Sequence, residues 1–95
     1  MSFYVYILLC CDGSFYTGCT KDLDVRTKLH QNGNGAKYTK AHKPKKVAYV
    51  ELFDLRSEAM KREKEIKKLS HKKKICLVSS QNKKKVFKKI YKISN

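Results

Sequence analysis

The feature that most constrains the fold is an Asp12-Gly13 dipeptide between two apolar, tyrosine-containing segments near the start of the chain. The residues from position 3 to 18 are FYVYILLCCDGSFYTG. Asp-Gly between alternating apolar runs is a strong local signal of a β-hairpin. The two segments are therefore predicted to form antiparallel strands, and the type of turn decides which side chains share a face.

The length of the loop decides whether Tyr6 and Tyr16 lie on the same face. A two-residue type I′ loop would pair Leu9 with Tyr16, and the two tyrosines would project from opposite faces. A three-residue loop with a left-handed Gly13 shifts the register by one residue, so that Tyr6 pairs with Gly18. The preference of tyrosine for β-strands is enough to explain the presence of either tyrosine taken by itself. The second register is favoured because it separates the tyrosines from an apolar face made of Phe3, Val5, Ile7, Leu9, Phe15 and Cys19.

The charge of the chain is strongly positive and unevenly placed. Lysine and arginine number 23 against 8 aspartate and glutamate, a net charge of +15. No acidic residue follows Glu65, and residues 66–95 contain 11 lysines. Such a basic half predicts a polyanionic partner, with nucleic acid ahead of an acidic membrane. A lysine-rich surface that serves only solubility is the alternative.

Length and cysteine usage predict one cytoplasmic domain. A chain of 95 residues with 41% hydrophobic content suits a single folded unit. No apolar run approaches the roughly 20 residues that span a bilayer, and no signal peptide is recognisable. The four cysteines include an adjacent pair but no CxxC motif, which is typical of reduced cytosolic thiols rather than of disulfides or a zinc site.

The segment after the hairpin predicts a helix with two basic side chains on its packed face. Thr20 or Asp22 can cap its start, and the Asn and Gly residues at 32–35 end it. One stripe of this helix contains Leu23, Arg26, Leu29 and His30. Arg26 and His30 are therefore expected to point inward, unless both side chains extend to the edge of the stripe.

A third strand completes the predicted sheet. Residues 35–46 read as a loop that has room for one helical turn at 37–42, and Pro44 excludes a central strand there. Residues 47–53, VAYVELF, are mostly apolar, β-branched or aromatic and predict a strand that pairs with the hairpin. The expected fold class is α/β of the α+β type, a small three-stranded antiparallel sheet flanked by helices.

The helix predicted from Ser57, as N-cap, to about Leu69 has a carboxylate within its apolar stripe. That stripe contains Ala59, Met60, Glu63, Ile66 and Leu69. A carboxylate among apolar side chains is costly unless it is paired or binds a metal. Glu63 is therefore a candidate metal ligand, and a buried salt bridge, for instance to Arg26, is the structural alternative.

The last third of the chain predicts one more helix and a basic extension. Ser70 is expected to start the helix, and Gln81-Asn82 to break it. Its predicted packing residues are Ile75, Leu77 and Val78. The domain is placed at 1–80. The extension at 81–95 is expected to form a short basic amphipathic helix that either docks on the domain or orders only against a partner.

Two short tyrosine motifs are followed by three polar residues, and Tyr6, Tyr16 and Arg26 lie ten residues apart. The motifs are YVY at 4–6 and YTG at 16–18; Arg26 comes ten residues after Tyr16, and His30 four residues after Arg26. Glu63 lies in AMKREKEIKKL. In this set the chain resembles the GIY-YIG nuclease superfamily over residues 3 to about 80. GAKYT at 35–39 and SEAMKREKEIKKLS at 57–70 resemble its small stand-alone bacterial branch, related to the N-terminal nuclease domain of the UvrC excision protein.

The resemblance implies a metal-dependent endonuclease that hydrolyses phosphodiester bonds in DNA, in repair or recombination. In that family the position of Glu63 holds a single divalent metal, here expected to be Mg²⁺ or Mn²⁺. The position of Tyr6 acts as general base on water, and that of Arg26 steadies the scissile phosphate. The positions of Tyr16 and His30 orient water and phosphate. In-line hydrolysis needs these groups: a placed water, a proton acceptor and positive charge near the phosphate.

Nucleic-acid binding is predicted for a second group of residues: Lys37, Tyr38, Lys67, Lys68, Lys83, Lys84 and Lys85. The chain departs from the family pattern at Tyr4, which replaces the first glycine, and at Cys19, where the excision branch often has lysine. The competing hypothesis is therefore a module of the same fold that binds nucleic acid and cuts slowly or not at all. An RNA-binding protein of unrelated origin is a third alternative, in which Glu63 is only an ion-pair partner.

Overall fold

A computed structural model of the chain describes residues 2–82. Its elements are β1 (Phe3–Cys10), β2 (Phe15–Thr20), α1 (Leu23–Gln31), α2 (Lys37–Ala41), β3 (Pro44–Phe53), α3 (Arg56–Lys67) and α4 (His71–Asn82). The strands form one antiparallel sheet in the order β2-β1-β3. The predicted fold class is therefore confirmed. In the part of the chain described here, no helix has the length and apolar character to cross a membrane.

The hairpin has the three-residue loop. The ladder between β1 and β2 pairs Tyr6 with Gly18. Gly13 has a φ of +85°, and its amide donates a hydrogen bond to the carbonyl of Cys10 at 3.0 Å. This left-handed glycine is the residue that a G1 bulge requires. The favoured register is confirmed, and it puts Tyr6 and Tyr16 on one face of the sheet.

The two faces of the sheet are covered by different helices. On the apolar face, α3 and α4 close a core of Val5, Ile7, Ala48, Tyr49, Ala59, Ile66 and Val78. The predicted apolar side chains Phe3, Leu9, Phe15 and Cys19 pack against that core. The other face holds a second cluster of Tyr6, Leu8, Leu23 and Val50, in which Leu23 belongs to α1. Tyr6 therefore lies on the α1 side of the central strand.

Helix α1 has the predicted ends, whereas α3 begins earlier than predicted. The carboxylate of Asp22 accepts a hydrogen bond from the amide of Val25 at 3.1 Å, which satisfies a free donor at the helix start. Gly33, with a φ of +80°, follows the helix. The N-cap residue of α3 is Leu55, so the prediction of Ser57 as N-cap is wrong. Ser57 lies inside the first turn.

Three further boundaries or packing assignments differ from prediction. Ile75 is 46% exposed, although it lies one turn before Val78, which packs in the core. Helix α4 continues through Gln81-Asn82 instead of breaking there. Strand β3 begins already at Pro44, which is acceptable because β3 is an edge strand and proline is its first residue. The expectations for residues 83–95 lie outside the described residues.

Candidate active site

Tyr6 is a buried tyrosine in the central strand, and its side chain extends across the edge strand β2. The residue has no exposed surface. A Cβ built on Gly18, its ladder partner, would overlap the hydroxyl oxygen and Cζ of Tyr6. Any other residue at position 18 would therefore displace the phenol. Glycine opposite Tyr6 is what allows the hydroxyl to lie over β2.

The Tyr6 hydroxyl is hydrogen-bonded to His30 on α1. The Tyr6 hydroxyl oxygen and Nε2 of His30 lie 2.7 Å apart, and Nδ1 lies 2.7 Å from the hydroxyl of Thr39 on α2. Thr39 in turn donates a hydrogen bond to the carbonyl of Ala36 at 3.2 Å. His30 and Thr39 are 0% and 2% exposed, so this chain of hydrogen bonds is shielded from water. Gly35 makes room for the ring, since a Cβ there would overlap the imidazole.

Arg26 lies one turn before His30 on α1. Its guanidinium is close enough to the side chains of Tyr6 and Tyr16 for both to raise its pKa. Its Nε is buried and has no hydrogen-bond partner among the described residues. A buried donor without a partner typically costs about 1–3 kcal/mol. The nitrogen is therefore a candidate contact for a bound anion.

Burial and Arg26 together set the protonation of the cluster. Burial, followed by the positive charge of Arg26, lowers the pKa of His30 to about 4, so that the imidazole is neutral at pH 7. Burial raises the pKa of Tyr6; the hydrogen bond to Arg26 opposes this, and Tyr16 and Glu63 add to it. The resting site therefore holds a protonated phenol hydrogen-bonded to a neutral imidazole.

A row of aromatic rings connects this cluster with the surface. The ring of Tyr16 lies 5.0 Å from that of His30 and 6.0 Å from that of Tyr38, measured between centroids. Tyr38 stacks on His42 at 4.2 Å with 17° between the ring planes. The His42 imidazole is bound to the carboxylate of Asp12 at the hairpin tip. Tyr38 is 37% exposed, so this predicted nucleic-acid contact is an accessible ring next to Tyr16.

Glu63 belongs to α3, which packs on the opposite face of the sheet from Tyr6. Its neighbours on the helix, Ala59 and Ile66, are fully buried in the apolar core. The Glu63 side chain is 20% exposed, and its carboxylate lies 3.1 Å from Nζ of Lys67. The suggested bridge to Arg26 is not formed, because Arg26 contacts the tyrosines instead.

Glu63 opens into a pocket at the outer edge of β2. The pocket has a volume of about 440 Å³ and is lined by Phe3, Cys19, Thr20, Lys21, Arg56, Met60 and Glu63. Glu63 also adds to the raised pKa of Tyr6, although burial contributes most. None of the residues around the Tyr6 hydroxyl lines this pocket, so the carboxylate and the phenol belong to opposite sides of the sheet.

The donor set at Glu63 fits a hydrated divalent ion. Within residues 2–82, no three side chains of the His, Cys, Asp and Glu types converge as a metal-binding group. Mg²⁺ usually keeps several waters and is held by one or two carboxylates together with substrate phosphate. One carboxylate in an open pocket matches that requirement.

The structure adds residues that sequence reasoning did not single out. Thr39 lies in the GAKYT segment but gave no sign that it contacts His30, because the contact depends on how the chain turns between α1 and α2. The Asp12–His42 pair joins residues 30 positions apart and has no local signal either. Among the predicted nucleic-acid contacts, Lys37, Lys67 and Lys68 are exposed, and Lys67 pairs with Glu63. The remaining three, Lys83, Lys84 and Lys85, lie outside the described residues.

Sequence comparison relates the chain to known proteins over the region that contains the site. A family model described as the GIY-YIG catalytic domain matches residues 2–76. A UPF0213 protein of Staphylococcus saprophyticus is 54% identical over 76 residues, which are 80% of this chain and 93% of that protein. A UPF0213 protein of Staphylococcus aureus strain N315 is 46% identical over 80 residues, or 84% and 98% of the two chains.

Two solution NMR structures are similar in fold. One is a UPF0213 protein from Bacillus halodurans, with a TM-score of 0.55 and 51% identity, covering 83% of this chain and 84% of that one. The other is a protein from E. faecalis, with a TM-score of 0.59 and 41% identity, covering 86% and 88%. The five candidate site residues, Tyr6, Tyr16, Arg26, His30 and Glu63, all lie within the matched region.

Proposed function

The chain belongs to the GIY-YIG family, a family of nucleases, and on this premise we propose that it is a metal-dependent endonuclease that hydrolyses phosphodiester bonds in DNA. The observation that carries the proposal is the buried Tyr6 hydroxyl, which lies between a neutral His30 and the Arg26 guanidinium. Glu63 lines a separate pocket on the α3 side of the sheet. The chain thus contains a proton acceptor, a cation and a carboxylate, the groups that hydrolysis of a phosphodiester requires.

Tyr6 is the general base in this proposal. A free phenol, with a pKa near 10, is a weak base at neutral pH, and burial raises the pKa of Tyr6 further. The phenol can therefore accept a proton from water only if its own proton leaves at the same time or if positive charge stabilises its anion. His30 provides the acceptor at 2.7 Å, and Arg26 provides the charge. A positioned general base typically accelerates a reaction by about 10²–10⁴-fold.

Arg26 and Tyr16 hold the phosphate. The unpaired Nε of Arg26 can donate to a non-bridging phosphate oxygen, and charge-assisted hydrogen bonds of this kind are among the strongest in proteins. The guanidinium also stabilises the negative charge that develops on the phosphate in the transition state. The Tyr16 side chain, which acts on the pKa of Arg26, helps to orient phosphate and water.

Glu63 would hold the divalent metal, for which Mg²⁺ and Mn²⁺ are the proposed ions. When bound, the ion polarises a phosphoryl oxygen and neutralises developing charge. Glu63 must first exchange Lys67 for the ion. That exchange costs little, because the Lys67 side chain is 51% exposed and surface ion pairs are worth about 0–1 kcal/mol.

The basic surface and the aromatic row supply contacts to the nucleic acid. Lys37, Lys67 and Lys68 are exposed and are proposed to contact phosphates, together with the lysines at 83–85. Tyr38 offers an exposed ring for base stacking, which contributes about 1–3 kcal/mol per base. DNA repair or recombination in the cytoplasm is the proposed setting.

A binding module that cuts slowly or not at all is the second candidate. One observation in its favour is that Glu63 is already paired with Lys67. In addition, Cys19 lines the same pocket as Glu63, at a position where the related excision branch often has lysine.

The deciding experiment is a cleavage assay with matched variants. Glu63→Gln and Tyr6→Phe remove the carboxylate charge and the phenolic oxygen at nearly constant shape. Glu58→Gln, an exposed glutamate on the same helix, and Tyr4→Phe, two residues earlier on β1, are the controls. Each protein is incubated with branched, single-stranded and duplex DNA and with RNA, in the presence of Mg²⁺ or Mn²⁺ and of chelator.

We expect the wild type and both controls to cut at least one DNA substrate in the presence of metal. Tyr6→Phe should lose about 10²–10⁴-fold in rate, and Glu63→Gln at least as much, because loss of the carboxylate removes the metal. A wild-type protein, freed of contaminating nuclease, that binds these substrates but cuts none would leave the binding module as the function. Equal rates for Tyr6→Phe and Tyr4→Phe would exclude Tyr6 as the base.

A further inference from the structure

The hydrogen bonds of Thr39 link Nδ1 of His30 to the carbonyl of Ala36. The Thr39 hydroxyl has a single hydrogen, and it is directed to the carbonyl of Ala36 at 3.2 Å. Toward His30, 2.7 Å away, the same oxygen can therefore act only as an acceptor. Nδ1 of His30 must then be the protonated nitrogen, and Nε2 is left as an acceptor for the hydroxyl of Tyr6.

We infer that Thr39 is a positioning residue: it holds His30 in the tautomer whose bare Nε2 faces Tyr6, so that His30 receives the Tyr6 proton when Tyr6 takes one from water. This inference rests on the proposed function and adds to it the residue that directs the proton. The opposite tautomer would make Nε2–H a donor to Tyr6, and the phenolic proton would then have no acceptor at that nitrogen.

In this proposal two protons move in one step, so that Tyr6 never becomes a free phenolate. As the attacking water forms its bond to phosphorus, one water O–H bond breaks and that proton moves to the Tyr6 oxygen. The Tyr6 O–H bond breaks in the same step, and its proton forms the Nε2–H bond of His30. His30 is then an imidazolium, and after product release its extra proton returns through the Tyr6 hydroxyl to solvent, while the leaving oxygen takes one proton from solvent.

The surroundings of His30 keep its Nε2 unprotonated until substrate binds. The ionisable side chains that act on it are Tyr6 from β1, Tyr16 from β2 and Arg26 from its own helix. Arg26 disfavours the imidazolium, and a phosphate bound to Arg26 would offset that charge. Nucleic-acid binding therefore makes His30 a better proton acceptor at the moment when the base is needed.

The ring has little freedom to take another orientation. Gly35 lies so close to the imidazole that a Cβ there would overlap Nδ1 and Cγ, and Tyr16 lies 5.0 Å from it between centroids. Both His30 and Thr39 are shielded from water. The hydroxyl of Thr39 is therefore the acceptor that the Nδ1 proton requires inside the domain.

The test compares Thr39→Val, which keeps the shape and removes the hydroxyl, with Thr39→Ser, which keeps the hydroxyl. Long-range proton–nitrogen NMR of the nucleic-acid-free proteins reports the His30 tautomer, and amide spectra report whether each variant is folded. We expect wild type and Thr39→Ser to have protonated Nδ1 and bare Nε2, and Thr39→Val to lose this tautomer. Cleavage should fall by about 10²-fold in Thr39→Val, at the lower end for a general base, and remain near wild type in Thr39→Ser.

Several results would overturn the inference. The first is a wild-type His30 protonated at Nε2, which needs no variant to be measured. The second is a folded Thr39→Val that keeps the wild-type tautomer or rate. The third is an equal loss of rate in Thr39→Ser and Thr39→Val, which would indicate a packing role. Absence of cleavage by the wild type counts against the proposed function alone, because the tautomer is measured without substrate.

Discussion

Gly18→Ala is the substitution that tests the geometry of the candidate site most directly. It adds one methyl group to β2 and leaves in place every side chain proposed to take part in the chemistry. On the observed backbone the new Cβ would overlap the hydroxyl oxygen of Tyr6 and lie 3.1 Å from Cε2 of Tyr16. The phenol must therefore move away from its hydrogen bond with His30.

The size of the effect follows from this displacement. Overpacking a well-packed interior costs about 1–3 kcal/mol, and leaving the buried polar atoms of Tyr6 and His30 unpaired costs about 1–3 kcal/mol. We expect the free energy of unfolding to fall by about 2–6 kcal/mol, the sum of the two costs. The cleavage rate of the folded protein should fall by about 10²–10⁴-fold, the loss expected when a general base leaves its position.

Gly13→Ala is the matched control in the same hairpin. A Cβ on Gly13 meets no atom within 4 Å, but the residue has a φ of +85°. Alanine in this left-handed conformation costs about 1–2 kcal/mol, so the control also lowers the free energy of unfolding. It does not reach Tyr6, and its cleavage rate should stay close to that of the wild type.

Urea unfolding followed by circular dichroism gives the free energy of unfolding of each protein. Metal-dependent cleavage of one DNA substrate is then measured at a temperature at which all three proteins are folded. If Gly18→Ala cleaves as fast as Gly13→Ala, the present position of the Tyr6 hydroxyl is not needed for the reaction. The argument that its contact with His30 prepares the general base would then be refuted.

Two further predictions concern pH and salt. Between about pH 6.5 and pH 4 the unfolded chain binds a proton at His30 that the folded chain does not. The free energy of unfolding should therefore fall as the pH is lowered through this range, by about 3 kcal/mol in total. Urea titrations at several pH values measure this fall. If His30→Gln shows the same fall, the pH dependence does not come from His30. Removing residues 83–95 deletes six lysines and no acidic residue but keeps α4. DNA-binding titrations at several salt concentrations should then give a log–log slope that is shallower by ~0.9 for each lost phosphate contact, and an unchanged slope would place the phosphate contacts elsewhere.

Much of the framework was predictable from local sequence. The Asp12-Gly13 turn and the separation of apolar from tyrosine side chains gave the hairpin register, which paired Tyr6 with Gly18. Helical spacing put Arg26 and His30 on one face of α1, and His30 is indeed fully buried. These predictions succeeded because turn type and side-chain periodicity depend on residues close together in the chain and can be identified in the amino-acid sequence.

The helix ends and outer faces were predicted less well. The N-cap of α3 is Leu55 rather than Ser57, although serine is the better capping residue, because the turn after β3 sets where that helix can begin. Ile75 is apolar and yet exposed on α4. Propensity and apolarity do not say which side of a helix meets the sheet when the helix is short and surrounded by lysines.

The sequence by itself determined the strand register, the inward face of α1 and the excess of positive charge, since each depends on near neighbours or on composition. Only the tertiary structure decided that Thr39 contacts His30 and that Glu63 lies on the opposite face of the sheet from Tyr6. It also decided that Nε of Arg26 is buried without a partner within residues 2–82. Those features depend on how α2 and α3 dock onto the sheet. The neutral imidazole of His30 depends on the same docking, because a pKa is set by burial and by charges that the fold brings near from elsewhere in the chain.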